Sequence, residues 1–472
     1  AITVYGSQLE AVKPASTGPG TYVATTTAAV TNYSPSTYIP TTTAAVSSLS
    51  GANDGLLVEE ARTNIRLQSE DFGTTWIAGT QVTITPDQTM APDGSLTADK
   101  IEPQGADTYA PLSQYVTLST GGQSTLSWFC KADGTDWVAL DVGNVGTQAT
   151  VGLFDLTNGA VGSTPGADVV ATGIEDYGNG WYRCWVTFNE DAVDAAGTFR
   201  ITPASADNNY NVVATDSLFI WGAQLEAGAF PTSYIPTTTG SVTRNADTVG
   251  ASSVAELSNG NHSIYVHASQ PYETGQNNVA VSINDDTATD THRSRKNGSN
   301  QGQFLFTATG DDGVSLLNGA YTGKAGTAGV RSAGAMSEDD AIAYWDGSVG
   351  SADNTADLPT GLTELDIGTE RDTEYWNGHI KEIAYFDERL PNATLESYSL
   401  NGLPTIVEGY KYPRDAMPLD EARFHNFIND SGVTKTGDLQ TDYRNACAAA
   451  ANISDNNSVS INDAFKRLVE DQ

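Results

Sequence analysis

The same two-part segment occurs twice in this sequence, and it limits the folds open to the chain. Residues 2–11 match residues 218–227, and residues 36–43 match residues 232–239. Each copy consists of an apolar strand, a turn and an extended Tyr-Ile-Pro-Thr-Thr-Thr run. Because proline cannot donate a hydrogen bond to a β-ladder, we expect that run at the edge of a sheet or crossing a surface. The repeat therefore predicts sheet structure built from more than one unit.

Composition and apolar patterning extend this prediction to most of the chain. The 46 glycines and many Thr, Ser, Asn and Asp residues favour short strands joined by turns. Strands are predicted in one stretch at 81–84, 125–131, 137–142, 181–188 and 216–223, and in a second stretch at 262–267, 278–283, 302–307, 341–345, 364–367 and 379–386. Apolar residues at helical spacing predict helices at 420–428, 439–451 and 461–470.

These stretches divide the chain into four parts. Its 472 residues exceed what one core holds, at about 150 residues per domain. We predict an N-terminal repeat-derived assembly segment (1–50), two tandem β-sandwich modules (51–248 and 249–402) and a small C-terminal helical module (403–472). The N-terminal repeat copy follows no sandwich of its own. It is expected either to complete the sheet of another subunit or to be a remnant of the duplication.

Charge argues against two classes of partner. With 58 acidic and 23 basic residues, the formal net charge is −35 at pH 7. A phosphate backbone or an anionic membrane surface would repel such a chain, so neither nucleic acid nor a membrane is an expected partner. No apolar run approaches the roughly 18 residues of a spanning helix, so we expect no membrane insertion. The acidic surface favours solubility in salty water.

Two sets of motifs resemble known modules. The run Gly-Leu-Leu-Val-Glu-Glu-Ala-Arg-Thr-Asn at residues 55–64, followed by Trp76, resembles the start of a jelly-roll, carbohydrate-binding-like module common in bacteriophage virion proteins. Matching motifs follow at 92–94, 97–100, 180–183, 220–226 and 233–236. Residues 365–368 and 376–387 resemble the closing strands of a concanavalin-like, laminin-G-like sandwich. The resemblance implies a mainly β fold with one sandwich of each kind.

The same resemblance implies a role on a phage particle. Such module pairs occur in bacteriophage tail fibres, head fibres and similar appendages, which implies a virion or extracellular location. It also implies a homo-oligomer, most simply a trimer, that contacts other virion proteins and glycans of the host surface. A fold-level resemblance does not identify a ligand. A purely structural capsid or tail decoration protein without ligand, and an enzyme acting on polysaccharide, are the alternatives.

Strand alternation gives the candidate binding residues. Successive side chains of a strand point to opposite faces, so residues that share a face with a charge are expected to meet solvent or a partner. The residues placed there are Phe129, Lys131, Trp137, Asp141, Trp181, Arg183 and Trp185. Flat aromatic rings beside hydrogen-bonding charges suit sugar rings, which predicts an accessible carbohydrate-binding sheet. The alternative is that another module or a symmetry mate covers this face.

Cysteines and a loop aspartate give weaker signals. Three cysteines are too few for a disulfide framework. Cys130 and Cys184 fall on predicted core faces, where they are expected as buried thiols or as a bridged pair. Asp216, just before the duplicated strand, is a candidate ligand for a structural calcium ion, and capping of a turn is the alternative. No other cofactor is predicted.

The sequence contains no recognisable catalytic motif. Adjacent acids such as Glu59 and Glu60 are expected by chance among 58 acidic residues. Short signatures of a nucleophile elbow, a phosphate loop or a zincin are absent from the sequence. His262 and His267, five positions apart in a predicted strand, are expected on opposite faces and so cannot share a metal. The sequence therefore favours a binding and structural protein over an enzyme.

Overall fold

The computed structural model describes most of residues 55–403 and two short pieces before them. The described residues are 4–5, 8–9, 55–105, 109–118, 122–143, 150–190, 197–252, 260–272, 275–287, 290–307, 314–318, 329–359, 361–386 and 388–403. The predicted C-terminal helices and most of the assembly segment lie outside them. Within that segment, β1 (Val4–Tyr5) pairs antiparallel with β2 (Gln8–Leu9).

Short antiparallel strands follow one another from Leu56 to Arg244. They are β3 (Leu56–Val58), β4 (Arg62–Asn64), β5 (Ile77–Ala78), β6 (Val82–Thr89), β7 (Ala98–Pro103), β8 (Leu112–Val116), β9 (Gln123–Ala132), β10 (Trp137–Gly143), β11 (Thr150–Asp155), β12 (Ala160–Val161), β13 (Val169–Gly178), β14 (Trp181–Asn189), β15 (Gly197–Ala204), β16 (Leu218–Ala227) and β17 (Val242–Arg244). A front sheet has the order β12-β11-β10-β15-β8-β5, and a back sheet the order β13-β14-β9-β16-β7-β6. Together they form the first sandwich.

The inner faces of these two sheets make the first core. On β10, Val138, Leu140 and Val142 point inward and are fully buried, while Leu126 and Trp128 of β9 come from the opposite sheet. Each such side chain contributes about 1.5–3 kcal/mol by leaving water. The predicted strands and their inward faces are confirmed here, because apolar residues at every second position fix which side of a strand is buried.

A second run of strands and one helix follow Arg244. They are β18 (Gly250–Ser252), β19 (His262–Ser269), β20 (Asn278–Asn284), β21 (Thr291–Lys296), β22 (Gly302–Thr307), β23 (Val314–Asn318), β24 (Val330–Ser337), β25 (Asp340–Trp345), β26 (Ser348–Val349), β27 (Glu364–Ile367), β28 (Gly378–Phe386) and α1 (Asn392–Asn401). The two sheets of this second sandwich have the orders β18-β27-β20-β21-β22-β23 and β26-β25-β24-β19-β28-β3. The predicted mainly β fold with two sandwiches is confirmed.

Strand β3 belongs to the second sandwich although it precedes the first in sequence. Val58 pairs with Gly378 of β28 and lies in the second core. The chain then enters the first sandwich through β4 and leaves it through β17, and these two strands pair with each other. At the point where the chain passes between the two sandwiches, Arg244 forms an ion pair with Glu59, with 3.3 Å between Nη2 and Oε2. The first sandwich is thus inserted into the second, and residues 56–58, predicted as part of the first module, lie in the sheet of the other.

The second copy of the duplicated segment has two structural parts. Its apolar half is β16, a central strand of the back sheet, and its Tyr-Ile-Pro half belongs to residues 228–239, which we call the strap. Gln224 and Glu226 of β16 hold the strap: Oε1 of Gln224 accepts from Ile235 N (2.7 Å) and Oε1 of Glu226 accepts from Thr232 N (2.9 Å). The strap crosses the outer face of the back sheet, as the proline predicts for an extended run over a surface.

Helix α1 follows the last strand of the second sandwich. It begins after Pro391, whose fixed backbone suits a helix start, and ends at Gly402, which has φ 82°. Leu395 and Ser399 face the sheet and are buried. None of the described helical residues forms a segment long and apolar enough to cross a membrane.

Candidate functional site

The seven residues predicted to bind carbohydrate lie on two different sheets. Trp137 and Asp141 lie on β10 of the front sheet. The other five lie on β9 and β14 of the back sheet: Phe129, Lys131, Trp181, Arg183 and Trp185. The expectation of one shared sheet is therefore wrong, because alternation along a strand does not reveal which sheet the strand joins.

The strap and a neighbouring loop cover the outer face of the back sheet. Phe129 is fully buried and meets Tyr234 of the strap edge-on, with ring centroids 5.8 Å apart. Trp181 is also buried, and its Nε1 donates to the carbonyl oxygen of Met90 at 2.9 Å. The accessibility predicted for these aromatics is wrong, since segments distant in sequence lie over them.

The second sandwich completes this cover. Its Tyr272 meets the ring of Trp185 edge-on, with centroids 5.4 Å apart. Arg183 is only 2% exposed, and its Nη2 donates to Ser127 Oγ at 3.0 Å. Lys131 remains half-buried. Covering by another module, the alternative stated from the sequence, describes this arrangement, and the covering module belongs to the same chain.

The outer face of the front sheet carries the other two predicted residues, Trp137 and Asp141. In the ladder of β10 and β15, Trp137 pairs with Ala204, Ala139 with Thr202, and Asp141 with Arg200. The small side chains of this face form a fully buried floor, made by Ala139, Leu153, Thr202 and Ala204. Tyr109 beside it is 42% exposed, and Tyr115 further along the sheet is 61% exposed. We call this surface the front face.

A charged pair with a tyrosine marks the centre of the front face. Nη1 of Arg200 and the hydroxyl of Tyr109 both donate to Oδ2 of Asp141, each at 3.0 Å. Burial, and then the charge of Asp141, raises the pKa of Tyr109 to about 12, so the phenol stays protonated and remains a donor at neutral pH. The side chains of Asp141 and Arg200 are 16% and 26% exposed. Oδ1 of Asp141 and Nη2 of Arg200 make no hydrogen bond within the described part of the chain.

Trp137 forms one wall of the front face and depends on a glycine. A Cβ atom placed on Gly162 would lie 2.6 Å from Cζ3 of Trp137 and 2.7 Å from Oδ1 of Asp207. Asp207 is fixed in turn, because it accepts from Ser163 N and Ser163 Oγ, both at 2.8 Å. The half-buried indole thus packs against bare backbone, and its position follows from the absence of a side chain at residue 162.

Tyr210 lies against the same floor as Trp137. Its hydroxyl is buried and has no hydrogen-bond partner in the part of the chain that the structure describes. Burial raises the pKa of Tyr210, and the charges of Asp141 and Asp207 raise it further. The phenol is therefore protonated at neutral pH, with the charges of Asp141 and Asp207 nearby. A buried donor without an acceptor costs free energy.

Sequence reasoning found two residues of this face and missed three. Trp137 and Asp141 stood out through the alternation of β10, whereas Tyr109, Arg200 and Tyr210 did not. A signal for Arg200 exists, since Thr198, Arg200 and Thr202 alternate with apolar residues in β15. Its position opposite Asp141 depends on strand register, which the sequence does not give.

The structure shows the surroundings of the two cysteines and of Asp216. Cys130 and Cys184 are buried free thiols rather than a bridged pair, and burial, with Cys130 as hydrogen-bond neighbour, raises the pKa of Cys184 well above its ordinary value. Oδ2 of Asp216 accepts from Val213 N at 2.8 Å and so caps a turn. Among the described residues no group of three or more His, Cys, Asp or Glu side chains is arranged to hold a metal ion.

No protein-family model matches this chain, and no curated protein matches it significantly. Among solved structures, the CBM40 module of the Ruminococcus gnavus IT-sialidase is 10% identical, covering 32% of this chain and 96% of that one, with a TM-score of 0.27. Domains LG4–5 of the mouse laminin α1 chain are 6% identical over 72% of this chain and 94% of that one, with a TM-score of 0.22. A CBM4 structure is 13% identical over 37% and 98%, with a TM-score of 0.20. Scores this low leave the site to be judged by its own geometry, and nothing in the comparisons indicates a bacteriophage origin.

Proposed function

We propose that this chain is a non-catalytic carbohydrate-binding protein and that the front face of its first sandwich holds the sugar. The observation that supports this most is the Asp141–Arg200 pair, in which one carboxylate oxygen and one guanidinium nitrogen make no hydrogen bond to any residue that the structure describes. Two neighbouring hydroxyls of a sugar ring need an acceptor and a donor in this arrangement.

Aromatic residues around the pair suit the rest of a sugar. Trp137 offers an indole at one wall, and Tyr109 and Tyr210 add phenol rings that their raised pKa values keep uncharged. The C–H face of a pyranose ring packs on such rings while its hydroxyls bind the polar groups.

Binding of the full chain to a glycan array, followed by calorimetry on the glycans found, tests the proposal. Arg200→Gln removes one partner of the pair and is expected to weaken binding at least about tenfold, in keeping with the loss of a charged hydrogen bond. Arg389→Gln is the matched control, because Arg389 forms a comparable ion pair with Asp340 in the second sandwich, Nε to Oδ2 2.9 Å. Equal affinity of both variants would refute the assigned face.

The proposal extends to a bacteriophage appendage, on the strength of the sequence resemblance of residues 55–248 and 365–387. There the chain would form a homo-oligomer, most simply a trimer, next to other virion proteins, with its front face towards host-surface glycans. Mass spectrometry of purified particles and analytical ultracentrifugation of the full chain test the location and the stoichiometry. Incubation with the bound polysaccharide, with product analysis, tests the absence of catalysis.

A purely structural decoration protein without ligand is the second candidate. One observation favours it: the aromatics of the back sheet serve packing within the chain rather than capture of a ligand. Presence in the particle together with an empty glycan array would support this candidate over the first.

A further inference from the structure

The front face is poor in positive charge. Across the strands of the front sheet, Arg200 is the only basic residue, whereas Asp141 and Asp155 are acidic. One nitrogen of Arg200 is already bound to Asp141. The remaining field of the face is therefore negative, and the overall charge of −35 adds to it.

A second carboxylate lies next to the aromatic wall. Oδ1 of Asp207 lies beside Gly162, which also contacts the ring of Trp137. Ser163 fixes the orientation of Asp207 through two hydrogen bonds of 2.8 Å. A ligand that stacks on Trp137 would therefore lie close to the carboxylate of Asp207 as well as to that of Asp141.

On these grounds, and resting on the proposed function, we infer that the front face binds uncharged sugars and discriminates against sugars that carry a carboxylate. A sialic or uronic acid would compete with Asp141 for Arg200 and would face Asp207 as a like charge. The hydroxyls of a neutral sugar can instead accept from Nη2 of Arg200 and donate to Oδ1 of Asp141 without breaking the pair. Like charges at a half-exposed site lower affinity on the order of tenfold.

Calorimetry with matched glycan pairs on the full chain tests this inference. The array identifies neutral glycans that bind, and each is compared with a form of the same core that carries a sialic or uronic acid. The neutral form is expected to bind at least about tenfold more tightly, and the ratio is expected to fall as NaCl is raised from about 0.05 M to about 0.5 M, because salt screens the repulsion. A carboxylated form that binds as tightly as its neutral partner would overturn the inference and leave the proposed function standing. A chain that binds no glycan at all would overturn both.

Removing the charge of Asp207 tests whether this carboxylate causes the preference for neutral sugars. Asp207→Asn keeps an oxygen that accepts from Ser163 and removes the charge, so the preference for the neutral form should fall several-fold. Asp353→Asn is the matched control, because Oδ1 of Asp353 accepts from Thr355 N (2.7 Å) and Thr355 Oγ1 (2.8 Å) in an exposed turn of the second sandwich. Unchanged selectivity in Asp207→Asn would show that charge at this wall is not what selects the sugar.

Discussion

The ring of Tyr272, from the second sandwich, stacks on Phe230 of the first, with ring centroids 5.3 Å apart and an interplanar angle of 17°. Its hydroxyl contacts Glu175 of β13, and loss of solvent raises the pKa of this phenol well above its ordinary value, so it stays a donor at neutral pH. Aromatic pairs in such contacts stabilise beyond their buried area. The junction thus couples the folding of the two sandwiches.

We expect Tyr272→Ala to uncouple them. The variant loses the stacked ring and the contact with Glu175, at a cost of about 2–3 kcal/mol for a half-buried aromatic. Calorimetry should then show two separate unfolding transitions where the native chain shows one. Tyr272→Phe keeps the ring and should lose only about 1 kcal/mol. Tyr115→Ala, which truncates an exposed tyrosine, is the control and should unfold as the native chain does. Two unfolding transitions already present in the native protein would contradict the coupling of the two sandwiches.

Because β3 lies in the second sandwich although it precedes the first in sequence, a substitution in β3 should destabilise the second sandwich. Val58 is fully buried in the second core, so Val58→Ala should destabilise the second sandwich by about 1–2 kcal/mol. Hydrogen exchange measured by mass spectrometry should show faster exchange in β28 and β19, with β9 and β14 unchanged. Faster exchange in the first sandwich alone would mean that β3 belongs there.

The sequence predicts where strands lie, because that depends on local pattern. It does not predict which faces are covered, because that depends on packing between segments distant in sequence. Strands β22 and β27 lie at the residues that alternation and turn signals predict, since both signals are local. Trp181 shares a face with charged Arg183, which the same alternation predicts correctly, yet both are buried. What covers a face comes from elsewhere in the chain, here the strap and Tyr272, and alternation contains no information about it. The Asp141–Arg200 pair depends in the same way on the register between β10 and β15.

A pair of buried histidines links the two sheets of the second sandwich. Nδ1 of His262 donates to the carbonyl oxygen of Gly260 at 2.6 Å, and its Nε2 contacts Nδ1 of His292. These contacts assign the proton of His292 to Nδ1. Its Nε2 is then a bare acceptor, buried beside Phe306 without a hydrogen-bond partner in the described residues. A further proton on this pair would have no acceptor.

Acid should therefore destabilise the second sandwich. Burial lowers the pKa of His262 to about 4 and holds that of His292 well below its ordinary value. The unfolded chain, with a histidine pKa of about 6.5, binds these protons more strongly than the folded chain does. Stability is thus retained above about pH 6.5 and lost as the pH falls towards 4, by about 1.4 kcal/mol per pH unit for each histidine. Between pH 7 and pH 5 we expect His262 alone to account for about 2 kcal/mol.

The measurement is the change in urea midpoint between pH 7 and pH 5, compared between the native chain and the double variant His262→Phe/His292→Phe. The comparison is needed because Asp99 gives a slope of the opposite sign: burial raises its pKa to about 6, so it stabilises the folded state as the pH falls through that value. Asp99 is present in both proteins, so its contribution to the pH dependence of stability cancels in the comparison. An equal pH dependence of the two would refute the role of the pair.

Gly162 offers a way to disturb the front face without touching its polar groups. Because a Cβ atom at this position would lie 2.6 Å from the ring of Trp137, Gly162→Ala should displace the indole while leaving both cores intact. We expect glycan affinity to fall by about tenfold, the loss of an aromatic contact of about 1 kcal/mol or more, with little change in melting temperature. Gly79→Ala is the matched control, since a Cβ there meets nothing within 4 Å. If both variants bind alike, Trp137 does not contact the sugar, and the Asp141–Arg200 pair would have to act without it.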